Sequence, residues 1–188
     1  MKRGLAISMA LLCLLAGGAL VTDAVWIHAK AALAGVMIRS AWSDELTGRT
    51  ASRPWPWADT WPVARLRAPD FGIDQIVLAG ASGRTLAFGP GHVAGSALPN
   101  ETGNTVIGGH RDTHFRFLKD VGQGSKLVLT SPDGIEVTYT VTGTSVVRAE
   151  TRLPAELPGR RLTLVTCWPF DAITTGGPER YVVTAVPE

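Results

Sequence analysis

The chain begins with a long apolar run and then changes to short apolar segments separated by glycine and proline. After Lys2 and Arg3, the 18 residues Gly4–Val21 carry no charge. A helix of this length rises about 27 Å, close to the hydrocarbon thickness of a bilayer. Because cations beside a membrane span stay in the cytoplasm, we predict a transmembrane helix with its N-terminus inside and everything after Asp23 outside.

A cleaved signal peptide is the alternative to a retained anchor. Ala29-Lys30-Ala31 has the small-x-small form that signal peptidases accept. However, the apolar run is longer than the usual signal core of about 7–15 residues, and Asp23, His28 and Lys30 separate it from that site. We therefore favour a retained, single-pass anchor in contact with membrane lipid, in which Cys13 is a small apolar residue of the span.

Two segments of different character follow the apolar run. Residues 24–47 place valines and leucines among alanines and charges, a pattern compatible with a helical stalk. Residues 53–62 contain three prolines and three tryptophans, which exclude a regular helix and predict an extended connector. Exposed tryptophans would form an apolar patch, so we expect the connector to lie against the following domain. An aromatic belt at the membrane interface is the alternative.

From residue 63 onward the pattern is typical of strands. Short runs rich in Val, Ile, Leu and Thr alternate with turn residues, and Ser131–Gly134 predicts a hairpin turn. We predict a mainly β fold, one closed or nearly closed barrel with short helices, in which 114–121 is the only segment with a helical pattern. The domain boundaries are 1–23 for the tip and anchor, 24–62 for the stalk and connector, and 63–188 for the barrel. The eight predicted strands are Val63–Arg67, Ile73–Leu78, Thr105–Gly109, Lys126–Leu129, Ile135–Thr140, Ser145–Arg148, Leu162–Thr166 and Tyr181–Val186.

Composition excludes two broad classes of protein. An apolar content of 45% with 18% charged residues is far from that of a disordered chain. The net charge of +2 belongs to the N-terminal region: residues 1–53 hold 6 basic and 3 acidic residues, whereas residues 54–188 hold 12 and 13. We therefore expect no nucleic-acid partner.

Cys167 is the one cysteine of the exported domain, so no disulfide can form within it. It follows the apolar run Leu162–Thr166, at the end of a predicted strand. A thiol with the ordinary pKa of about 8.5 is only a few per cent thiolate at neutral pH, so a reactive cysteine needs a neighbouring cation or base. His110 and Arg180 lie at ends of two other strands and suit an acid/base and an oxyanion donor. Spacing alone leaves open an inert, buried thiol.

The segments around these residues resemble those of the sortase family. TLVTC at 163–167, GHRDT at 109–113 and Arg180 occur in the family's order. Residues 91–97 and 115–126 are similar to class D-type sortases. The proline- and tryptophan-rich segment 54–66, together with CWPF at 167–170, most resembles the Gram-negative, marine proteobacterial branch called class GN. The resemblance spans about residues 60–188.

This resemblance implies an eight-stranded sortase β-barrel and a cysteine transpeptidase on the periplasmic side of the inner membrane. Cys167 would be the nucleophile, His110 the general acid and base, and Arg180 the oxyanion or substrate clamp, with no cofactor and no metal. The implied partners are a substrate protein with an LPxTG-like C-terminal sorting signal and an amine acceptor of unknown identity. Two alternatives remain: a cysteine endopeptidase that passes the acyl group to water, and a non-catalytic barrel that binds an envelope protein. The candidate substrate-binding residues are His92, Thr166 and Trp168.

Several neighbours of the candidate triad carry separate expectations. Arg111 and Arg116 are expected to be surface charges. His114 and Asp112 either orient His110 or face solvent. His92 lies in a glycine-rich stretch, where a loop histidine held by backbone hydrogen bonds is the alternative to a substrate contact.

Overall fold

The computed structural model of the protein describes residues 2–151, 153–154, 157–174 and 176–188. The chain divides into two compact units, one ending at Val36 and the other extending from Met37 to Glu188. The candidate site lies in the second unit. The predicted boundaries at 23/24 and 62/63 remain predictions.

The predicted membrane span and stalk form one continuous helix, α1, over Lys2–Leu46. No proline interrupts this stretch, and the helix is followed by Gly48, whose φ of 88° is the left-handed conformation that commonly ends helices. Its segment Leu11–Leu46 has the length and apolar composition needed to cross a membrane. A signal sequence has the same properties, so retention of the helix stays a prediction.

Eight strands close into a barrel, which confirms the predicted fold class. Their order around the barrel is β1-β2-β3-β4-β7-β8-β6-β5, with β5 pairing back to β1. The pairs β2–β3 and β4–β7 are parallel, and the others are antiparallel. A short helix, α2 (Gly83–Leu86), and 3-10 turns at Pro69–Phe71 and Arg116–Lys119 lie between strands. The strands are β1 Pro62–Ala68, β2 Ile73–Ala79, β3 Gly91–His92, β4 Gly103–Gly108, β5 Lys126–Thr130, β6 Glu136–Arg148, β7 Arg160–Trp168 and β8 Glu179–Pro187.

The predicted number of strands was right, although two individual strands were wrong. The two runs at 135–140 and 145–148 belong to one strand, β6, whose register shifts at a bulge between Val141 and Gly143. A glycine inside a strand often marks such a bulge, and the two predicted strands end on either side of it. The other error was β3, because a two-residue strand, Gly91–His92, has no apolar alternation to reveal it.

The parallel pair β4–β7 forms a largely buried part of the barrel wall. Ile107, Leu162 and Leu164 on these strands are completely buried, and they share one core with Phe115 and Tyr139. A strand covered on both faces has an almost continuous apolar sequence, which explains the run ahead of Cys167. The ends of β4 and β7 are therefore held on a rigid support.

Two of the three tryptophans of the connector pack against the barrel, as predicted. Trp55 places its ring edge-on to Phe88 with centroids 5.1 Å apart. Trp61 packs on the core, and its carbonyl accepts a hydrogen bond from the Ala79 backbone at 2.8 Å. Trp57 differs from this expectation, since 82% of its surface is exposed.

Candidate active site

Cys167 and Arg180 face each other across two neighbouring strands. They are direct register partners in the antiparallel pair β7–β8, near the end of β7 and the start of β8. Side chains on directly opposed residues lie about 4.5–5.5 Å apart at Cβ. Both residues are half-buried, so the sulfur is neither sealed in the core nor fully solvated.

His110 reaches the same mouth of the barrel from β4. In the parallel register of β4 and β7, Gly108 is paired with Val165, and the Gly109 amide donates to the Val165 carbonyl at 3.1 Å. His110 and Cys167 each lie two residues beyond that pair, so the two chains arrive side by side. The structure therefore brings together three residues that are 57 and 13 positions apart.

The three residues line one cleft with a volume of about 820 Å³. Most of its wall is aliphatic, which is typical of ligand sites with a few placed polar groups. Five further side chains, from four other places in the fold, contribute to the lining: Leu86 of α2, Val93 and Ser96 after β3, Val147 of β6, and Leu153 in the β6–β7 connection.

Four hydrogen bonds fix the segment that carries His110. The Thr166 hydroxyl donates to the Gly109 carbonyl at 2.7 Å, joining the residue before Cys167 to the residue before His110. On the far side, the Phe115 amide donates to the His110 carbonyl at 2.9 Å, and the Gln75 side-chain amide donates to the His114 carbonyl at 2.9 Å. Together with the Gly109 amide bond to β7, these contacts fix the backbone on both sides of His110.

We expect Thr166→Val to destabilise the protein by about 1–3 kcal/mol. Thr166 is only 2% exposed, so the isosteric change leaves the buried Gly109 carbonyl without its side-chain donor. Thr166→Ser keeps the hydroxyl and is the matched control. The measurement is the thermal unfolding midpoint of the three proteins. A valine variant as stable as wild type would show that this bond contributes nothing.

His114 lies in the electrostatic surroundings of His110. Burial lowers the pKa of His114 below its ordinary value, the charge of a protonated His110 lowers it further, and Asp112 acts in the opposite direction. His114 is thus kept neutral beside the candidate acid/base. Asp112 is exposed and His114 is half-buried, and the described residues show no hydrogen bond from either side chain to the His110 ring, so an orienting role for either stays a prediction.

We expect the His114→Gln variant to lose less stability than wild type as the pH falls from about 7 to about 5. A histidine whose pKa is depressed in the native state takes up its proton more readily when unfolded, so native stability declines as the pH drops through the ordinary value of about 6.5. Glutamine removes this contribution. Thermal midpoints of both proteins at each pH test it; curves that stay parallel would contradict it.

Arg180 and Arg111 both bind the connection between β7 and β8. Arg180 Nη1 donates to the carbonyls of Gly177 and Glu179, each at 2.8 Å. Arg111, expected to be a surface charge, is instead buried, with 7% of its surface exposed. The expectation was wrong because backbone carbonyls from a distant part of the chain surround the guanidinium. The sole sequence signal was its place in the GHRDT segment. Arg116 is exposed, as expected.

The candidate substrate-binding residues occupy different environments. Thr166 lines the cleft, but its hydroxyl is engaged by Gly109. His92 lies on strand β3 and not in a loop; its Nε2 is 2.9 Å from the Ala97 carbonyl oxygen and 3.0 Å from Ser96 Oγ. Trp168 stacks on Tyr181 at 5.5 Å and meets Phe170 edge-on at 5.7 Å. The rings of His92 and Trp168 are not part of the cleft wall described above, and a substrate role for either residue stays a prediction.

The described residues contain no group of three or more His, Cys, Asp or Glu side chains arranged to hold a metal ion. The polar groups that line the cleft include a thiol, an imidazole and a guanidinium. This set suits acyl transfer by a cysteine nucleophile, in which a base, an acid and an oxyanion donor are all needed.

Comparison with known proteins gives consistent matches over the barrel. The sortase domain model matches residues 66–188. Sortase D of Bacillus subtilis (strain 168) is 32% identical over 120 residues, which is 63% of this chain and 60% of that protein. The aligned region thus spans less than two thirds of the Bacillus protein.

Solved structures agree with this result. Sortase A from Corynebacterium diphtheriae has 31% identity and a TM-score of 0.62, covering 70% of this chain and 63% of that one. A Sortase D5 transpeptidase from Clostridium perfringens has 25% identity and a TM-score of 0.60, covering 68% and 79%. The closed eight-stranded barrel is therefore the sortase fold, and this chain belongs to the sortase family.

Proposed function

We propose that this protein is a membrane-anchored cysteine transpeptidase that cleaves an LPxTG-like C-terminal sorting signal and transfers the acyl part to an amine of the cell envelope. The observation that carries the proposal is the convergence of Cys167, His110 and Arg180 on one cleft. Similarity to sortases over residues 66–188 supports it.

In the first half of the reaction, the Cys167 thiolate attacks the carbonyl carbon of the threonine in the sorting signal. The oxyanion that forms accepts hydrogen bonds from Arg180. When the carbon–nitrogen bond breaks, protonated His110 gives its proton to the departing glycine amine. The products are a thioester on Cys167, a released C-terminal fragment and a neutral imidazole.

In the second half, an amine attacks the thioester carbonyl and His110 accepts its proton. The carbon–sulfur bond then breaks and the Cys167 thiolate is restored. The thioester keeps the acyl group activated, so a new amide bond forms without ATP. For Arg180 to reach the oxyanion, the guanidinium can use Nε and Nη2, because its loop carbonyls are both bound by Nη1.

The finer assignment rests on sequence resemblance. We infer a class D-like enzyme from its 32% identity to the Bacillus Sortase D, and a Gram-negative origin from the proline- and tryptophan-rich lead at 54–66 and the CWPF segment. The helix Leu11–Leu46 has the properties of a membrane anchor, and Lys2 and Arg3 favour an N-terminus in the cytoplasm. We therefore place the barrel on the periplasmic face of the inner membrane.

The test uses the full-length protein in detergent micelles, incubated with a library of peptides that vary around LPxTG. We expect at least one peptide to lose its C-terminal fragment and leave a mass increase on Cys167 equal to the acyl part. Mass spectrometry of the intact protein and of its proteolytic fragments locates the adduct. No adduct with any peptide would contradict the proposal.

Adding an amine distinguishes transfer from hydrolysis. At saturating glycine peptide, a transpeptidase gives the ligated product at the expense of the free acid. Hydrolysis that continues unchanged would identify a cysteine endopeptidase instead. Peptide binding without cleavage, together with slow alkylation of Cys167, would identify a binding barrel.

A further inference from the structure

Arg111 is a buried cation whose described hydrogen bonds all go to one loop. Its Nη2 donates to the carbonyls of Thr174 and, at 3.1 Å, Ala172, and its Nη1 donates to that of Gly176 at 3.4 Å. All three acceptors belong to the β7–β8 loop, residues 169–178. The donor is adjacent in sequence to His110. One side chain therefore connects the histidine segment to the loop between Cys167 and Arg180.

Because the guanidinium is both charged and buried, losing its hydrogen bonds to the loop costs more free energy than losing bonds between neutral groups. Arginine stays protonated at all ordinary pH values, so it cannot escape burial by losing its proton. No salt bridge to it is found among the residues that the structure describes, and carbonyl dipoles must therefore replace the hydration of the cation. Hydrogen bonds to a charged donor are about twice as strong as neutral ones. The loop has to present its carbonyls in this one arrangement.

Phe170, at the start of the loop, packs on the core, but the middle of the loop has little burial of its own to fix that arrangement. Ile173 is fully exposed, and Asp171, Thr174 and Gly176 are also exposed. Within the loop, the Ala172 amide donates to the Pro169 carbonyl at a long 3.4 Å. Among the described hydrogen bonds, those from Arg111 are the ones that join the middle of this loop to the rest of the barrel.

The placement of the loop bears directly on the catalytic groups. Gly176, which accepts from Arg111, is followed by Gly177, which accepts from Arg180 Nη1. The two arginines therefore hold consecutive residues of one backbone. A loop released from Arg111 would also shift the acceptor that positions Arg180 opposite Cys167.

We propose that Arg111 is a positioning residue: its guanidinium holds the β7–β8 loop against the histidine segment and so keeps Arg180 in register with Cys167 and His110. Its catalytic consequence rests on the proposed transpeptidase function. The loop-holding step does not, because it can be measured without turnover.

The experiment compares full-length wild type, Arg111→Gln and Arg111→Lys, with Arg116→Gln as the control. Thermolysin cuts before large aliphatic residues, so the rate of cleavage at the Ala172–Ile173 bond, whose carbonyl accepts from Arg111, reports loop opening. We expect Arg111→Gln to be cut about tenfold faster or more, as loss of a charge-assisted hydrogen bond predicts. We expect the cleavage rate of Arg111→Lys to lie between those of wild type and Arg111→Gln, because a lysine ammonium is a single point donor. The control matches wild type.

Kinetics separate positioning from folding. With the active fraction set by titration of Cys167, we expect kcat for peptide transfer to fall about 10- to 100-fold in Arg111→Gln, with a smaller change in KM, because misplaced reacting groups affect the transition state most. A merely structural role would lower the folded yield and leave kcat per active site unchanged. If the glutamine variant does not fold, Arg111→Lys supplies the same comparison.

Unchanged cleavage at Ala172–Ile173 in both Arg111 variants would overturn the proposal. So would faster cleavage with a wild-type kcat, since the loop would then not position the catalytic groups. If wild type transfers no peptide, the transpeptidase proposal fails, while the cleavage rates still decide whether Arg111 holds the loop.

Discussion

Replacing Cys167 with alanine is expected to abolish thioester formation and to lower peptide transfer by at least about 10⁴-fold. A covalent mechanism has no other route once the sulfur is gone, and removing the nucleophile of a coupled triad costs about as much as removing the whole triad. The fold should be retained, because Cys167 is half-buried at the end of β7 and alanine leaves no large cavity. Intact-protein mass spectrometry measures the adduct.

The chain supplies a matched control, since its second cysteine is Cys13. Cys13→Ala should keep full transfer activity and one reactive thiol, whereas Cys167→Ala should lose both the acyl adduct and iodoacetamide labelling of the barrel. An acyl adduct that persists in Cys167→Ala would place the nucleophile elsewhere and remove the basis of the proposed mechanism.

Some of this architecture could be predicted from sequence because it rests on local patterns. The apolar run ahead of Cys167 predicts a central strand, and Trp168-Pro169 predicts its end, since proline lacks the amide that continues a ladder. The structure ends β7 at Trp168. The helix was recognised in the same way, from charge-free length.

The features that failed depend on contacts between distant parts of the chain. Nothing near Arg111 in sequence signals burial, because its partners lie more than 60 positions away. His92 gave the same difficulty: its two-residue strand exists through pairing with β2 and β4. Register also had to come from the structure, since it is the opposition of Cys167 and Arg180 that turns two motif residues into neighbours.

Gly109→Ala is expected to have the second-largest effect, on both stability and transfer. A Cβ at this position would lie 2.7, 2.8 and 3.0 Å from three ring atoms of Phe115, closer than van der Waals contact allows. Phe115 is completely buried and packs edge-on against Phe117, so its ring has no free space. The Gly109 backbone is equally fixed, by Val165 on one side and Thr166 on the other.

The strain must therefore move either the ring or the strand end that carries His110. Overpacking of this kind costs about 1–3 kcal/mol, which lowers the thermal midpoint by about 2–4 °C per kcal/mol in a protein of this size. A displacement of His110 by about 1 Å would lower kcat/KM for transfer by about 100-fold. The thermal midpoint and kcat/KM for transfer are both measured on the full-length protein.

Two variants test this explanation. Gly108→Ala is the stability control, because its Cβ would meet the nearest atoms at 3.8 and 3.9 Å, an ordinary contact. Phe115→Leu combined with Gly109→Ala makes room for the methyl group, so the double variant should be more stable than the two single effects added together predict. Strict additivity would mean that the methyl group and the ring do not collide, and the loss in Gly109→Ala would then have to arise from the backbone at the start of the histidine segment.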